Sequence, residues 1–380
     1  MTGAAPVHGD GVLLRRFTDA DIDDLVAGCN DPLTARFMPG LPQPYSAADA
    51  LWWISQGAPA AWASGGAAFA VADPATGRLI GGAGLGRLVP ERTQGEIGYW
   101  VAPWARRRGV ATAAATALTR WAFARGFGRL ELLTDLANAP SQRVALAAGF
   151  QREGVRRGAA LRRDGHRDDL VVWSRLANDP PGQVPRLLPD PPASGLSDGV
   201  VTLRPLGPGD GEFLHTLLAT PDVTATSLPP IAPDRGETEL RCARAEGRWL
   251  AGERADFVIV HAPAGAATGN IGLYYDEPRS GQAVIGYAML APWRGRGLPT
   301  RAVRLLAGWA FAEAGIDRLT AGTRPGNVAS QRVLEKAGFR REGYLRGRLP
   351  GLPGTRVDDV AYGLLAADLA LVQTASERMP

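Results

Sequence analysis

The hydrophobic pattern of this chain changes period in an order that lays out a fold. Val12 to Phe17 reads as a strand, Ala20 to Gly28 as a short helix, and Ser46 to Gln56 as a helix entered by Ser46. Short apolar stretches follow at Ala67 to Ala72, Leu79 to Leu85 and Glu96 to Val101, broken by Asp-Pro, Gly-Gly and a Pro-Glu-Arg-Thr-Gln turn region. These predict an antiparallel meander. After Gly109 the period turns helical, with Val110, Ala114, Ala117, Leu118 and Trp121 on one face. A strand at Leu130 to Thr134, a helix at Ser141 to Ala148 ended by Gly149, and a strand at Leu170 to Leu176 complete the half. Strands with a few helices packed on them make an α/β or α+β sandwich.

The second half repeats the first. The segment Asn138 to Gly154 returns 189 residues later as Asn327 to Gly343, with eleven of seventeen positions identical. Leu14-Arg15 matches Leu203-Arg204, Trp121-Ala-Phe-Ala124 matches Trp309-Ala-Phe-Ala312, and Leu298, Ala302, Leu305 and Trp309 repeat the helical face. A unit of roughly 180 residues is too long for a solenoid repeat and suits one globular domain. The expected domains are 1–178 and 199–380, joined by a linker at 179–198, because six prolines between Ala177 and Asp198 forbid a regular helix or central strand. Leu187 and Leu188 are the linker residues suited to packing against a domain surface. The stretch Pro221 to Arg254 matches the first copy poorly.

Composition narrows the class. With 45% hydrophobic and 21% charged residues, 380 residues form two cores of a soluble protein. No apolar run approaches the roughly 20 residues that span a bilayer, and Met1-Thr-Gly-Ala-Ala-Pro-Val lacks a charged-then-apolar leader, so a cytoplasmic protein without a membrane partner is expected. Cys29 and Cys242 are too few and too isolated for a disulfide framework or a zinc site, so no metal is expected and both read as small buried hydrophobes. The formal charge of +4 comes from arginine almost alone, since Lys336 is the only lysine. Those arginines are interleaved with Asp and Glu and no nucleic-acid motif accompanies them, so no nucleic-acid partner is expected.

Two turns carry the candidate chemistry: Arg106-Arg107-Arg108-Gly109-Val110-Ala111 and Arg294-Gly295-Arg296-Gly297-Leu298-Pro299. Each follows a Gly-Tyr strand by ten residues and opens a helix. A glycine-containing loop at a helix start leaves backbone N–H groups unpaired, and the helix dipole adds positive potential there, so phosphate is the natural guest. Taken alone, the arginine triplet is a solvated cluster at a helix end. Its recurrence, each time after Ile-Gly-Tyr and before a tryptophan-bearing helix, favours an anion site.

Arg-x-x-Gly-x-Ala after such a strand resembles the acyl-CoA pyrophosphate loop of the GNAT superfamily of N-acyltransferases. The downstream Asn-x-x-Ser-x-Arg-Val, Ala-Gly-Phe-x-Arg-Glu-Gly, and the opening Asn30-Asp-Pro32 through Arg36-Phe-Met-Pro39, are similar to its RimJ/RimL branch, which acetylates N-terminal amines of proteins. The resemblance implies two tandem GNAT-like domains, each a mixed, splayed central sheet flanked by helices, with acetyl-CoA as acyl donor between the fourth and fifth strands. It also implies donor-binding residues: Trp100, Val101, Arg106, Arg107, Arg108, Gly109, Val110, Ala111, Thr112 and Asn138 in copy one. In copy two they are Met289, Leu290, Arg294, Gly295, Arg296, Gly297, Leu298, Thr300 and Asn327. Asn138 and Asn327 also suit helix capping near Ser141 and Ser330.

Acyl transfer to an amine needs a neutral amine, a stabilised oxyanion and a protonated leaving thiolate. Glu96 is the candidate base, preceding Ile97-Gly-Tyr99 where many GNAT members carry a catalytic glutamate, and an exposed strand residue near Arg92 or Arg106 is the alternative. Copy two has Val284 there. Ser141 and Ser330 match the serine suggested in that branch as thiolate acid, and Tyr344 is a second candidate in copy two. Pro299 removes one N–H that would face a pyrophosphate, worth about 1.5–3 kcal/mol, or about ten- to a hundredfold in donor affinity. His166 falls in a predicted hairpin, and His215 and His261 assemble no site. The reading is an acetyl-CoA-dependent N-acetyltransferase acting on a protein or peptide N-terminus or a small-molecule amine. A C-terminal active module, with Asp276 or Glu277 as base, and a noncatalytic acyl-CoA-binding scaffold stay open.

Overall fold

The computed structural model describes residues 5–377, with side chains as far as residue 371. Met1 to Ala4, which begin the segment read for a leader, lie outside the described residues. The chain forms two compact units that divide between Pro185 and Arg186.

The first unit contains β1 (Val7–Gly9), β2 (Val12–Arg15), α1 (Ile22–Cys29), α2 (Pro32–Phe37), α3 (Ala47–Trp52), α4 (Ala58–Ala63), β3 (Ala67–Ala72), β4 (Leu79–Val89) and β5 (Gln94–Val101). It continues with α5 (Val110–Phe123), β6 (Arg129–Asp135), α6 (Ala139–Ala147), β7 (Gln151–Leu161) and β8 (Arg167–Leu176). The second unit contains β9 (Leu196–Ser197), β10 (Val201–Pro205), α7 (Gly211–Leu218), α8 (Pro221–Thr226), α9 (Arg235–Leu250), β11 (Arg254–His261), β12 (Ala266–Glu277) and β13 (Gln282–Met289). It ends with α10 (Leu298–Ala312), β14 (Arg318–Thr323), α11 (Val328–Ala337), β15 (Arg340–Pro350), β16 (Arg356–Leu365) and α12 (Ala366–Glu377).

Among the described residues each unit holds one mixed sheet of eight strands, ordered β1-β2-β3-β4-β5-β6-β8-β7 and, in the same sense, β9-β10-β11-β12-β13-β14-β16-β15. The meander read from the sequence is β3, β4 and β5, antiparallel throughout. Because the short β1 precedes it, the strands expected as fourth and fifth are β5 and β6. They are parallel and pair only at Gln94–Glu96 against Arg129–Glu131. The second unit does the same with Gln282–Val284 against Arg318–Thr320. Past those three pairs no ladder joins the two strands, and each sheet opens along one strand edge.

Local chemistry explains several boundaries. Ser46 caps α3 in a reciprocal box, its Oγ accepting from Asp49 N–H at 3.3 Å while Ser46 N–H donates to Asp49 Oδ2 at 2.8 Å. The helix expected from Ser46 to Gln56 is interrupted by a π-turn at Trp53–Gly57 and resumes as α4. The repeated Leu-Arg motif also has its reason. Leu14 and Leu203 are fully buried. Arg15 and Arg204 each donate two bonds to an aspartate, Asp21 (2.7 and 2.7 Å) and Asp210 (2.8 and 2.6 Å), and so fix the chain entering α1 and α7. Trp121 and Trp309 each sit edge-on in an aromatic triad, with Trp62 and Phe69 in one unit and Trp249 and Phe257 in the other.

Strands β7 and β15 had no counterpart in the hydrophobic pattern. Eight of the eleven residues of β15 and seven of β7 are exposed, so neither offers an alternating apolar face. In the proline-rich stretch, Leu188 is fully buried in the second unit's core and β9 forms at Leu196–Ser197, while Leu187 stays half exposed. Cys29 and Cys242 are buried and reduced, their thiols pushed up to about 12 and about 11 by burial.

Candidate active site

The open strand edge, the turn beyond it and the N-terminus of α6 converge in the first unit, and β13, its turn and α11 repeat the arrangement in the second. Gly109 and Gly297, at φ 78° and 74°, are the N-caps of α5 and α10, and neither has a side chain to occupy the first-turn N–H groups. The first intrahelical bonds come from Ala113 to Gly109 O (3.0 Å) and Arg301 to Gly297 O (3.2 Å). The N–H groups before them have no intrahelical acceptor, the feature that makes a helix start attractive to an anion. Pro299 stands in the first turn of α10 and supplies none.

The turn must pass through the left-handed region one residue after its first arginine. Gly295 does so at φ 73° without strain, whereas Arg107 does so at φ 61°. Arg107, Arg108 and Arg296 are exposed beside the free amides, and Val110 and Leu298 are buried beneath them. Ala111, Thr112 and Thr300 are half-buried on the first helical turn.

Arg106 and Arg294 have partners within the protein. Arg106 Nε donates to Val101 O (3.3 Å), and its Nη2 donates to Asp31, the N-cap of α2, and to Thr34 Oγ1 (2.9 Å). Arg294 donates from Nε and Nη2 to Met289 O (3.0 and 2.8 Å) and from Nη1 to Asp222 on α8. Both guanidiniums, and the carbonyls of Val101 and Met289, are thereby engaged in bracing the turn. Trp100 directs its indole away from the turn, between α1 and β4, where a Cβ on Gly28 or Gly82 would meet it at 2.6 or 2.5 Å. The Leu290 N–H is taken by Thr268 O at 2.9 Å.

Asn138 and Asn327 are N-caps, their Oδ1 atoms accepting from Ser141 N–H (3.3 Å) and Ser330 N–H (3.2 Å). Their amide groups are not used in that bond. Ser141 and Ser330 each meet a tyrosine of the open strand. Tyr99 Oη lies 2.9 Å from Ser141 Oγ and donates to Ser141 O at 3.2 Å, and Tyr287 Oη does the same with Ser330 at 2.8 and 3.2 Å. Burial raises both phenols, Tyr287 to about 12, with the serine bond a smaller opposing influence, so both are neutral donors. Sequence reasoning named Tyr99 only as a strand residue. The signal for the pair was there, since Gly-Tyr and Asn-x-x-Ser recur together in both copies.

Tyr344 is elsewhere. It lies on β15, 52% exposed, and its hydroxyl donates to Asp358, whose carboxylate pushes the phenol up and makes it a weaker acid. His166 is exposed on the β7–β8 turn, and His261 packs against Trp293 with ring centroids 5.0 Å apart.

Glu96 sits on β5, its side chain 22% exposed, with Arg87 Nε at 3.6 Å, and neither Arg92 nor Arg106 is its partner. Burial pushes its carboxyl up, Arg87 and Arg156 pull it down, and Glu131 pushes it up again. Glu131 faces it across the β5–β6 pair, buried and bonded to Arg129 (3.0 Å) and Arg156 (2.8 Å). A carboxylate held between these influences is suited to accept a proton. Val284 occupies the same register in the second unit, opposite Tyr274 and Thr320. Asp276 and Glu277 are exposed at the far end of β12, where Glu277 Oε2 accepts from Ser280 Oγ at 3.0 Å.

Two cavities adjoin these features. One of about 680 Å³ in the second unit is lined by Gly297, Thr300, Arg301, Arg304, Lys336 and Asp198. One of about 330 Å³ in the first unit lies between α2 and the β7–β8 turn, among Arg36, Arg162, Arg163, Asp164 and Asp168. Arg162 bonds Asp168 (2.6 Å), Asp135 and Arg36 O (2.8 Å), and Arg163 bonds Leu41 O (2.6 Å), so the hairpin holds the α2 segment in place. These arginines were missed because nothing in the sequence joins them to α2. Among the described residues no group of His, Cys, Asp and Glu is arranged to hold a metal ion, and no helix is long and apolar enough to cross a membrane.

A profile described as an acetyltransferase (GNAT) domain matches the chain twice, at residues 12–151 and 201–340. The probable N-acetyltransferase YjcK of Bacillus subtilis is 48% identical over 64 residues, 17% of this chain and 35% of that protein, so the match spans about a third of that relative. The uncharacterized N-acetyltransferase YoaA of the same organism is 30% identical over 149 residues, 39% of this chain and 84% of that protein. Among solved structures, Mycobacterium smegmatis RimJ in complex with CoA-disulfide is 24% identical and has a TM-score of 0.41, covering 47% of this chain and 90% of that one.

Proposed function

The chain belongs to the acetyltransferase (GNAT) family in both of its halves, and from that premise we propose that its first unit transfers an acetyl group from acetyl-CoA to a primary amine, with Glu96 as general base. The observation that carries this reading is the half-buried Glu96 carboxyl, raised by burial, at the last pair before β5 and β6 part. Acetyl-CoA supplies the activated acetyl thioester.

The residues fit such a donor. The β5 edge beyond Glu96 has no β6 partner and suits an extended amide-bearing arm. The free N–H groups at the start of α5, beside Arg107 and Arg108, suit a pyrophosphate, and the Asn138 amide suits the arm between them. Glu96 takes the proton of the attacking amine, directly or through one water. Ser141 Oγ, bonded to Tyr99, protonates the leaving sulfur. In the second unit the 680 Å³ cavity beside Gly297 suits the anionic end of the donor.

An α-amino group is the easier nucleophile, because its reference pKa of about 8 lies well below the roughly 10.4 of lysine. The Asn-x-x-Ser and Ala-Gly-Phe motifs agree with a protein or peptide N-terminus. Thiol release from acetyl-CoA, followed with short peptides and amino sugars, tests the proposal. Glu96→Gln should lower kcat about 10²- to 10⁴-fold with little change in donor KM. No thiol release with any amine, or unchanged turnover in Glu96→Gln, would overturn it.

A further inference from the structure

Position by position, the carboxylates of the two units trade places. Glu96 of β5 and Glu131 of β6 correspond in register to Val284 of β13 and Thr320 of β14. In the other direction, Leu133 of β6 and Leu170 of β8 correspond to Gly322 of β14 and Asp359 of β16. Leu319 and Ala321 of β14, like Val360, Tyr362 and Leu364 of β16, belong to the hydrophobic core. Alternation therefore puts Gly322 and Asp359 on the opposite face, the face that also carries Thr320 and Val284. Gly322 comes two residues after Thr320, the last β14 residue paired with β13, so it lies where the sheet has already opened.

Asp359 is 2% exposed and lies on the bare backbone of Gly322, where a Cβ would come within 2.6 Å of Oδ1 and 2.8 Å of Oδ2. The equivalent Leu133 would exclude it. Its Oδ2 is 3.4 Å from Nε of Arg348 on β15, and Oδ1 is buried and meets no hydrogen-bond partner. The first unit lacks both members of the pair, with Ala159 and Leu170 at these positions. A purely structural ion pair would satisfy both oxygens, because a buried unpaired acceptor is destabilising. Burial pushes the carboxyl up, and Arg348, with a weaker contribution from the Thr323 backbone N–H, offsets this only in part.

We propose that Asp359 is the general base of a second acetyl-transfer site in the second unit, taking a primary amine over Gly322 in place of the Glu96 arrangement. This rests on the acetyltransferase reading given above. Rotation of Arg348, itself 62% exposed, admits the amine. The amine nitrogen forms the new C–N bond to the thioester carbonyl carbon, and the C–S bond breaks with its electron pair left on sulfur. The displaced N–H proton goes to Asp359 Oδ1 through one water. The sulfur takes the Ser330 Oγ proton, which solvent restores through Tyr287 while Asp359 releases its own.

The test uses the full chain with acetyl-CoA and a mixture of short peptides bearing each common N-terminal residue, and reads thiol release. In a Glu96→Gln background, Asp359→Asn should cut the residual kcat at least about tenfold while the KM for acetyl-CoA stays the same. A second variant, Asp359→Leu with Arg348→Ala, restores the first unit's apolar pair and should give the same loss with an unchanged or higher melting midpoint. Residual turnover that neither variant alters, or no residual turnover in Glu96→Gln alone, overturns the second site and leaves the first standing. Turnover insensitive to Glu96→Gln but abolished by Asp359→Asn supports the second site and removes the role given to Glu96. A wild-type chain that releases no thiol with any peptide removes both.

Discussion

Arg107 holds a backbone conformation that its counterpart Gly295 adopts freely. A left-handed non-glycine residue costs about 1–2 kcal/mol, part of which glycine returns through the greater freedom of the unfolded chain. Arg107→Gly should therefore raise the melting midpoint of the first unit by about 2 °C, read by calorimetry, and an unchanged or lower midpoint would contradict this account. The same substitution removes an exposed cation beside the free amides, so donor affinity should fall as stability rises. Such trades show what the sequence conveys at this scale. Arg-x-x-Gly was readable as a motif, but the destination of Arg106 was not, because Asp31 lies 75 residues earlier in the chain. The place of Glu96 on β5 was readable from its position before Ile-Gly-Tyr. Asp359 was not, since an aspartate in Val-Asp-Asp-Val looks like a surface residue until β14 is seen to offer Gly322 beneath it.

Elements were readable where one face is apolar. β3, β5, α5 and α10 all carry a buried face or run, and their positions follow from it. β7 and β15 are polar on both faces, and only pairing with β8 and β16 makes them strands. The break between α3 and α4, against the continuous α9, coincides with the stretch where the two copies match poorly. The first turn of α10 yields a prediction of its own. Pro299→Ala restores a donor among the free N–H groups, so titration calorimetry should find acetyl-CoA binding to the second unit tightened about ten- to a hundredfold. Equal affinities would mean that this N–H faces no charge.

At the scale of the whole molecule, the two compact units divide between Pro185 and Arg186, inside the proline-rich stretch. Leu188 is fully buried in the second unit, and Trp249 Nε1 donates to Pro189 O at 3.0 Å, although Leu188 and Pro189 lie within the linker expected at 179–198. We therefore propose that a piece spanning 186–380 is more stable than one spanning 199–380 by about 2–5 kcal/mol, the usual cost of losing a buried leucine, which amounts to several degrees in melting midpoint. Equal midpoints would place the boundary after residue 198.

One run of contacts in the first unit reaches further than any single bond. Arg106 grips the end of β5 and the aspartate that caps α2, the far end of α2 is gripped by Arg162, and Arg162 is anchored on Asp135 and Asp168. The helix is thus slung between two arginines like a crossbar, one end fastened to the turn before α5 and the other to the hairpin. Any shift of that turn tilts the bar, and with it a wall of the 330 Å³ cavity. The cavity's wall is therefore tied, through α2, to the position of that turn.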